Sequence, residues 1–189
     1  MGFTRAQLES FRDASLPDLV GPQVKLLFVG INPSLWTAAT QTHFAHPGNR
    51  FWPALRRAGV IERTFDLNAG MTEEDRAYLL ARGLGNTNLV NRATMRADEL
   101  SAAELRAGRA RLEGLVAEHR PAVVAIAGIT AYRMAFGRPK AASGEQLGDL
   151  LGARLWVVPN PSGLNAHETI DSLAAAYAEP ARAAGIIAS

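Results

Sequence analysis

The chain contains no cysteine. Disulfides, thiolate-bound zinc and thiolate-bound iron–sulfur clusters are excluded at once, and the composition suits a reducing compartment. Lysine is nearly absent: of 20 basic residues only Lys25 and Lys140 are lysines. No apolar run approaches the roughly 20 residues of a membrane-spanning helix. The segment Met1–Ser10 carries Arg5 and Glu9 and has no apolar signal core, so a soluble, cytoplasmic protein with no membrane partner is expected. Acids are missing from the whole of Gly30–Arg50, which argues against an ordinary paired-carboxylate glycosidase on that stretch. There is no Gly-x-Ser-x-Gly elbow for acyl transfer. Gly83-Leu84-Gly85 lacks the third glycine of a dinucleotide fingerprint. The four histidines, His43, His46, His119 and His167, form no metal-binding pair of the HxxxH or HxH kind. No metal and no cofactor is expected.

What remains is an ordinary globular composition. With 189 residues and 48% apolar content, one domain with a sizeable core is the expectation over 1–189. The net charge of +2 is too small to argue for nucleic acid by itself. Arginine suits bidentate phosphate contacts better than lysine does, but an Arg- and Ala-rich coding bias explains the same pattern.

Taken in order, Thr4 and Gln7 have capping-box spacing and open a short helix to about Phe11. Leu16–Gln23, with two prolines, reads as a loop. Lys25–Val29 reads as a central parallel strand, apolar beyond its first residue. Gly30–Gly48 reads as one long loop, and a loop of that length in a compact domain is usually functional. Asn49 caps a helix to about Ala58, with Pro53 in its first turn. A helix follows over Thr72–Arg82, then a strand over Gly85–Val90. The Ser101/Glu104 capping box starts a helix to His119, which Pro121 ends. Ala122–Ala127 is a strand, Thr130–Phe136 a helix, and Gly137–Gly148 a polar loop or lid. Leu155–Val158 is the last strand, and the final helix runs from about Glu168 to Tyr177, broken or restarted at Pro180. Alternation of strands and helices makes the class α/β with a mainly parallel sheet.

Two strand ends carry similar chemistry. Gly30-Ile31-Asn32-Pro33 follows the first strand, and Pro159-Asn160-Pro161-Ser162-Gly163-Leu164 follows the last. Ligands of open α/β sheets bind beyond the carboxyl ends of strands, so these loops are expected to face each other across one cleft. Asn32 can hold a water by accepting and donating hydrogen bonds, although it cannot take a proton as a carboxylate does. Phe44 can stack on a planar ring. Leu164, on an exposed Ser-Gly-Leu tip, can act as a wedge. Each has a plainer reading: an Asn before Pro as turn chemistry, a loop Phe as a core anchor.

In combination the motifs are more specific. Gly30-Ile31-Asn32-Pro33, Phe44-Ala45-His46-Pro47, Asn49-Arg50-Phe51-Trp52, Thr87-Asn88-Leu89-Val90, Ala127-Gly128 before a helix, and Asn160-Pro161-Ser162-Gly163-Leu164 occur in this order. This arrangement resembles the mismatch-specific uracil-DNA glycosylase / thymine-DNA glycosylase family over residues 22–178, with 1–21 an N-terminal helix and loop. The resemblance implies a three-layer α/β/α fold without metal or cofactor, and a monomer is expected. The implied partner is double-stranded DNA with G·U or related mispairs. The implied reaction flips out uracil, or thymine, and hydrolyses its N-glycosidic bond to leave an abasic site for base excision repair. It makes Asn32 the water-positioning residue. Gly30, Ile31, Pro33, Thr37, Phe44, Asn88 and Asn91 are assigned to the base pocket, with Phe44 stacking on the base. Asn160, Pro161, Ser162, Gly163, Leu164, Asn165 and Arg92 are assigned to DNA, with Leu164 filling the vacated space.

Four positions depart from the family pattern: Ser34 where Gly is common, Asn88 where some relatives have Lys, Asn91 where an acid is usual, and Asn165-Ala166 in place of Ser-Arg. The last two remove acidic assistance and an arginine contact to the opposite strand, and Asn88 is expected to broaden activity toward uracil in other contexts. Two further readings remain: a mismatch- or damage-binding protein with little turnover, and a hydrolase of free nucleosides, which has no use for an exposed wedge.

Overall fold

A computed structural model describes residues 2–188. The strands are β1 (Leu26–Gly30), β2 (Leu84–Asn88), β3 (Val123–Ala127), β4 (Gly144–Leu150) and β5 (Ala153–Val158). The helices are α1 (Arg5–Glu9), α2 (Leu35–Thr40), α3 (Phe51–Arg57), α4 (Glu73–Ala81), α5 (Ala102–His119), α6 (Ile129–Phe136) and α7 (Ile170–Ala183). One five-stranded sheet has the order β2-β1-β3-β5-β4. The first four strands in that order run parallel, and β4 pairs antiparallel with β5 at the edge.

Strand alternation divides the core in two. Leu26 and Phe28 face a cluster with Phe51, Leu55, Leu79, Leu173 and Tyr177 from α3, α4 and α7. Leu27 and Val29 face the other cluster, with Leu105, Leu112, Val116 and Tyr132 from α5 and α6. Helices thus cover both faces, giving three layers. Because β1 and β3 are apolar on both faces, each is buried along its whole length. The chain leaves β1 toward β2 on one side and returns to β3 on the other. The crevice at this reversal is where an α/β sheet receives its ligand.

Three expectations are corrected. The loop over Gly30–Gly48 contains α2: Ser34 Oγ accepts from the Thr37 N–H, and Leu35 and Ala38 are buried against Ala93. The polar stretch Gly137–Gly148 is not a lid, since its second half enters β4. That strand was hidden because it has no apolar face: of its seven residues only Leu150 is buried, and pairing with β5 is what orders it. It is irregular between Glu145 and Asp149, and the Glu145–Arg154 ion pair to β5 holds it. Pro180 does not end the last helix. It lies buried inside α7, which continues to Ala183, so burial there outweighs the one backbone hydrogen bond that proline removes.

Candidate active site

A cleft of about 570 Å³ opens at the carboxyl ends of the parallel strands. Gly30, Ile31 and Asn32 enter it from β1, Asn88 from β2, Ala127 from β3, and Asn160, Ser162, Gly163, Leu164 and Asn165 from the segment after β5. Thr37 and Phe44 also line it. The two strand-end loops therefore share one cavity.

Asn32 has its amide orientation set by its neighbours. Nδ2 donates to the Arg92 carbonyl at 2.9 Å and to Thr94 Oγ1 at 2.7 Å. A carbonyl can only accept, so the amide nitrogen must face it. The Thr94 hydroxyl gives its own proton to the Arg96 carbonyl at 2.7 Å, leaving lone pairs for Asn32. With both amide hydrogens engaged on this wall, Asn32 Oδ1 is the acceptor left for a ligand or a water. The backbone supports the arrangement: Leu89, Val90 and Thr94 donate their N–H groups to the carbonyls of Gly30, Ile31 and Pro33.

Asn88 is buried and its side chain is oriented by His43. The His43 Nε2 faces the Pro17 carbonyl at 3.1 Å and so carries the ring hydrogen. Burial pushes the imidazole pKa down to about 4, so the ring is neutral and Nδ1 is a lone pair. Asn88 Nδ2 lies 3.4 Å from that nitrogen. The Asn88 Oδ1 is thereby turned to the cavity floor beside Gly30, where a Cβ on residue 30 would come within 2.5 Å of it. Behind the strand, Arg111 holds the Asn88 carbonyl at 2.9 Å and the Asp18 carboxylate at 2.5 Å. His43 predicts a pH dependence. Its folded pKa lies below the ordinary 6.5, so the unfolded chain takes up the proton first. Stability is full above pH 6.5 and falls as pH drops toward 4, by about 3 kcal/mol in all. Chemical denaturation across that range will show the slope, and His43→Gln will lack it.

Phe44 sits at φ 57°, a left-handed conformation that costs a non-glycine residue on the order of 1 kcal/mol. Its ring stacks on Phe51 with centroids 3.9 Å apart. Phe51 backs the ring and Trp52 Nε1 holds the preceding His43 carbonyl, so Phe44 is a fixed platform in the cleft. The rim loop is compact. Asn160 Oδ1 accepts from Ser162 N–H, Ser162 Oγ from Leu164 N–H, and Asn165 Nδ2 donates to the Asn160 carbonyl. At its tip Leu164 is 85% exposed.

Four expected site residues do not line the cavity. Asn91 accepts the Leu16 N–H and anchors the N-terminal segment. The Arg92 guanidinium is paired with Glu104 and Asp13, both at 2.8 Å, and only its carbonyl reaches the site. Pro33 and Pro161 contribute through carbonyls that accept from Thr94 and Arg50. In the other direction, His46, Asn49, Thr94, Met95, Arg96, Ala97 and Asp98 line the cleft without having been expected. Carrying the strand-end rule past β2 as far as Asp98 would have found most of them. Asp98 also brings a carboxylate into the cleft, paired with Arg96 at 2.6 Å, which the acid-free loop after β1 had concealed.

The parallel strands of the sheet thus end on an oriented amide, an aromatic platform and an apolar rim, at the end where α/β sheets bind their ligands. The model of the Uracil DNA glycosylase superfamily matches residues 17–179. The chain belongs to that superfamily, which supports a DNA glycosylase role with DNA as the partner. Its fold is also similar to a solution NMR structure from Methanosarcina acetivorans, a protein provisionally named a uracil DNA glycosylase. The TM-score is 0.58 at 17% identity, over 91% of this chain and 96% of that one.

Proposed function

We propose that the protein removes uracil from G·U mispairs in duplex DNA by hydrolysing the N-glycosidic bond, and acts as a monomer without metal or cofactor. The observation that carries this reading is the convergence of Asn32 Oδ1, the Phe44 ring and Asn88 Oδ1 on one cavity with Leu164 at its rim. A flipped pyrimidine stacks on Phe44. Its imide N3–H meets the Asn88 oxygen, whereas cytosine presents a lone pair there and is repelled. A water held by Asn32 Oδ1 attacks C1′. The C1′–N1 bond breaks with its electron pair passing to the pyrimidine, and the proton of the attacking water goes to solvent or to the departing base. Uracil leaves as a stabilised anion, so positioning a water can suffice without a strong base. Mispairs cost less to open, which favours them before any contact is made, and Leu164 keeps the base from returning.

Single-turnover cleavage of end-labelled duplexes with G·U, A·U and G·T, followed by alkali, tests this. Cutting of G·U that falls steeply with added salt is expected. Binding of mispaired duplex with no cutting would instead favour the binding-protein reading. Equal cutting of A·U would tie relaxed specificity to Asn88 and Asn165-Ala166.

A further inference from the structure

The rim loop, Asn160–Glu168, lies between β5 and α7 with no regular structure of its own. Its carbonyls therefore need partners from elsewhere. Arg50, at the start of α3, supplies them. Its Nη2 donates to the carbonyls of Ser162 at 2.6 Å and Asn165 at 2.7 Å, and its Nη1 donates to that of Glu168. Its own backbone N–H donates to the Pro161 carbonyl at 3.0 Å. The backbone approaches closely beside it as well: a Cβ on Gly163 would lie 2.9 Å from the Gly48 carbonyl oxygen. No carboxylate pairs with this guanidinium among the described residues, so it is committed to loop carbonyls.

We propose that Arg50 is a positioning residue for the wedge: it templates the loop that carries Leu164 and ties it to the His46–Asn49 wall of the base cleft. The planar fork suits this role, because it reaches several carbonyls in fixed directions. Lysine, with one rotating ammonium on a flexible stem, cannot reproduce the set. Opening the duplex and receiving the base then occur on one rigid unit. The proposal rests on the reading of Leu164 as the group that enters DNA.

Amide hydrogen exchange and cleavage kinetics on the whole protein test it, with Arg50→Met, Arg50→Lys and Leu164→Ala. In Arg50→Met, exchange at Ser162, Leu164 and Asn165 is expected to quicken by about tenfold or more, with β3 amides as the reference for global stability. Unchanged exchange in the loop would overturn the proposal, as would quickening shared equally by β3. Kinetics compare uracil opposite guanine with uracil opposite an abasic position, where no pair has to be opened. The ratio of the first rate to the second is expected to fall about tenfold in Arg50→Met and in Leu164→Ala, with the double variant no worse than the poorer single one. Arg50→Lys is expected to stay close to Arg50→Met. Equal losses on both substrates in Arg50→Met, or full rescue by lysine, would overturn the proposal. If loop exchange quickens while wild type cuts neither substrate, the template role stands for the loop and the glycosylase reading of the cleft fails.

Discussion

Asn32→Ala is expected to lower single-turnover excision of uracil from G·U by about 10²-fold or more, with little change in duplex affinity. The size follows from what the side chain does. An amide is no proton acceptor of useful basicity, so under the proposed function its contribution is the placement of one water, and misplacing a reacting group by about 1 Å costs on that order. The same logic predicts a smaller loss for Thr94→Val. Asn32 Nδ2 would keep the Arg92 carbonyl but lose the 2.7 Å bond to Thr94 Oγ1, so the amide would sample other rotamers. Rates equal to wild type in Asn32→Ala would remove Asn32 from the chemistry.

The second large effect is expected at the pocket floor. Asn88→Leu removes the acceptor proposed for the imide N–H and leaves the neutral His43 Nδ1 without the Asn88 amide. Losing a buried hydrogen bond that a site was built to make costs about 2–3 kcal/mol. The expected loss is therefore about 10²-fold in kcat/KM for uracil, with retained binding to abasic product. That asymmetry is diagnostic: an effect on folding would weaken both. Undiminished kcat/KM in a folded Asn88→Leu protein would show that the base is read elsewhere.

The fold was legible where one physical rule dominates. Leu26–Val29 and Val123–Ala127 are apolar on both faces, and only a central parallel strand asks for that. Thr4, Thr72 and Ser101 announced their helices because side-chain caps act over three residues of sequence. Elements whose order comes from long-range partners were not legible. β4 depends on its pairing with β5, and Pro180 stays helical because α7 is buried against the sheet. The same division runs through the cleft. Asn32, Phe44 and Leu164 stood out by motif and by place on the chain. His43 looked like an unpaired histidine in a loop, and its neutrality comes from burial that only the fold supplies. Arg92 looked available for phosphate, yet Asp13 and Glu104, one upstream and one downstream of it, occupy its guanidinium.

The strand order has a consequence for how the protein comes into being. The cleft draws on the ends of β1, β2, β3 and the segment after β5, and β5 is the last strand made. A chain emerging from synthesis has Asn32 and Phe44 early but no opposing wall until its final quarter appears. Parallel pairing across such separations closes late in folding. On the proposed reading, truncated or half-folded chains would carry Asn32 and Phe44 without the Leu164 rim, so the whole cleft forms only once the last strand has paired.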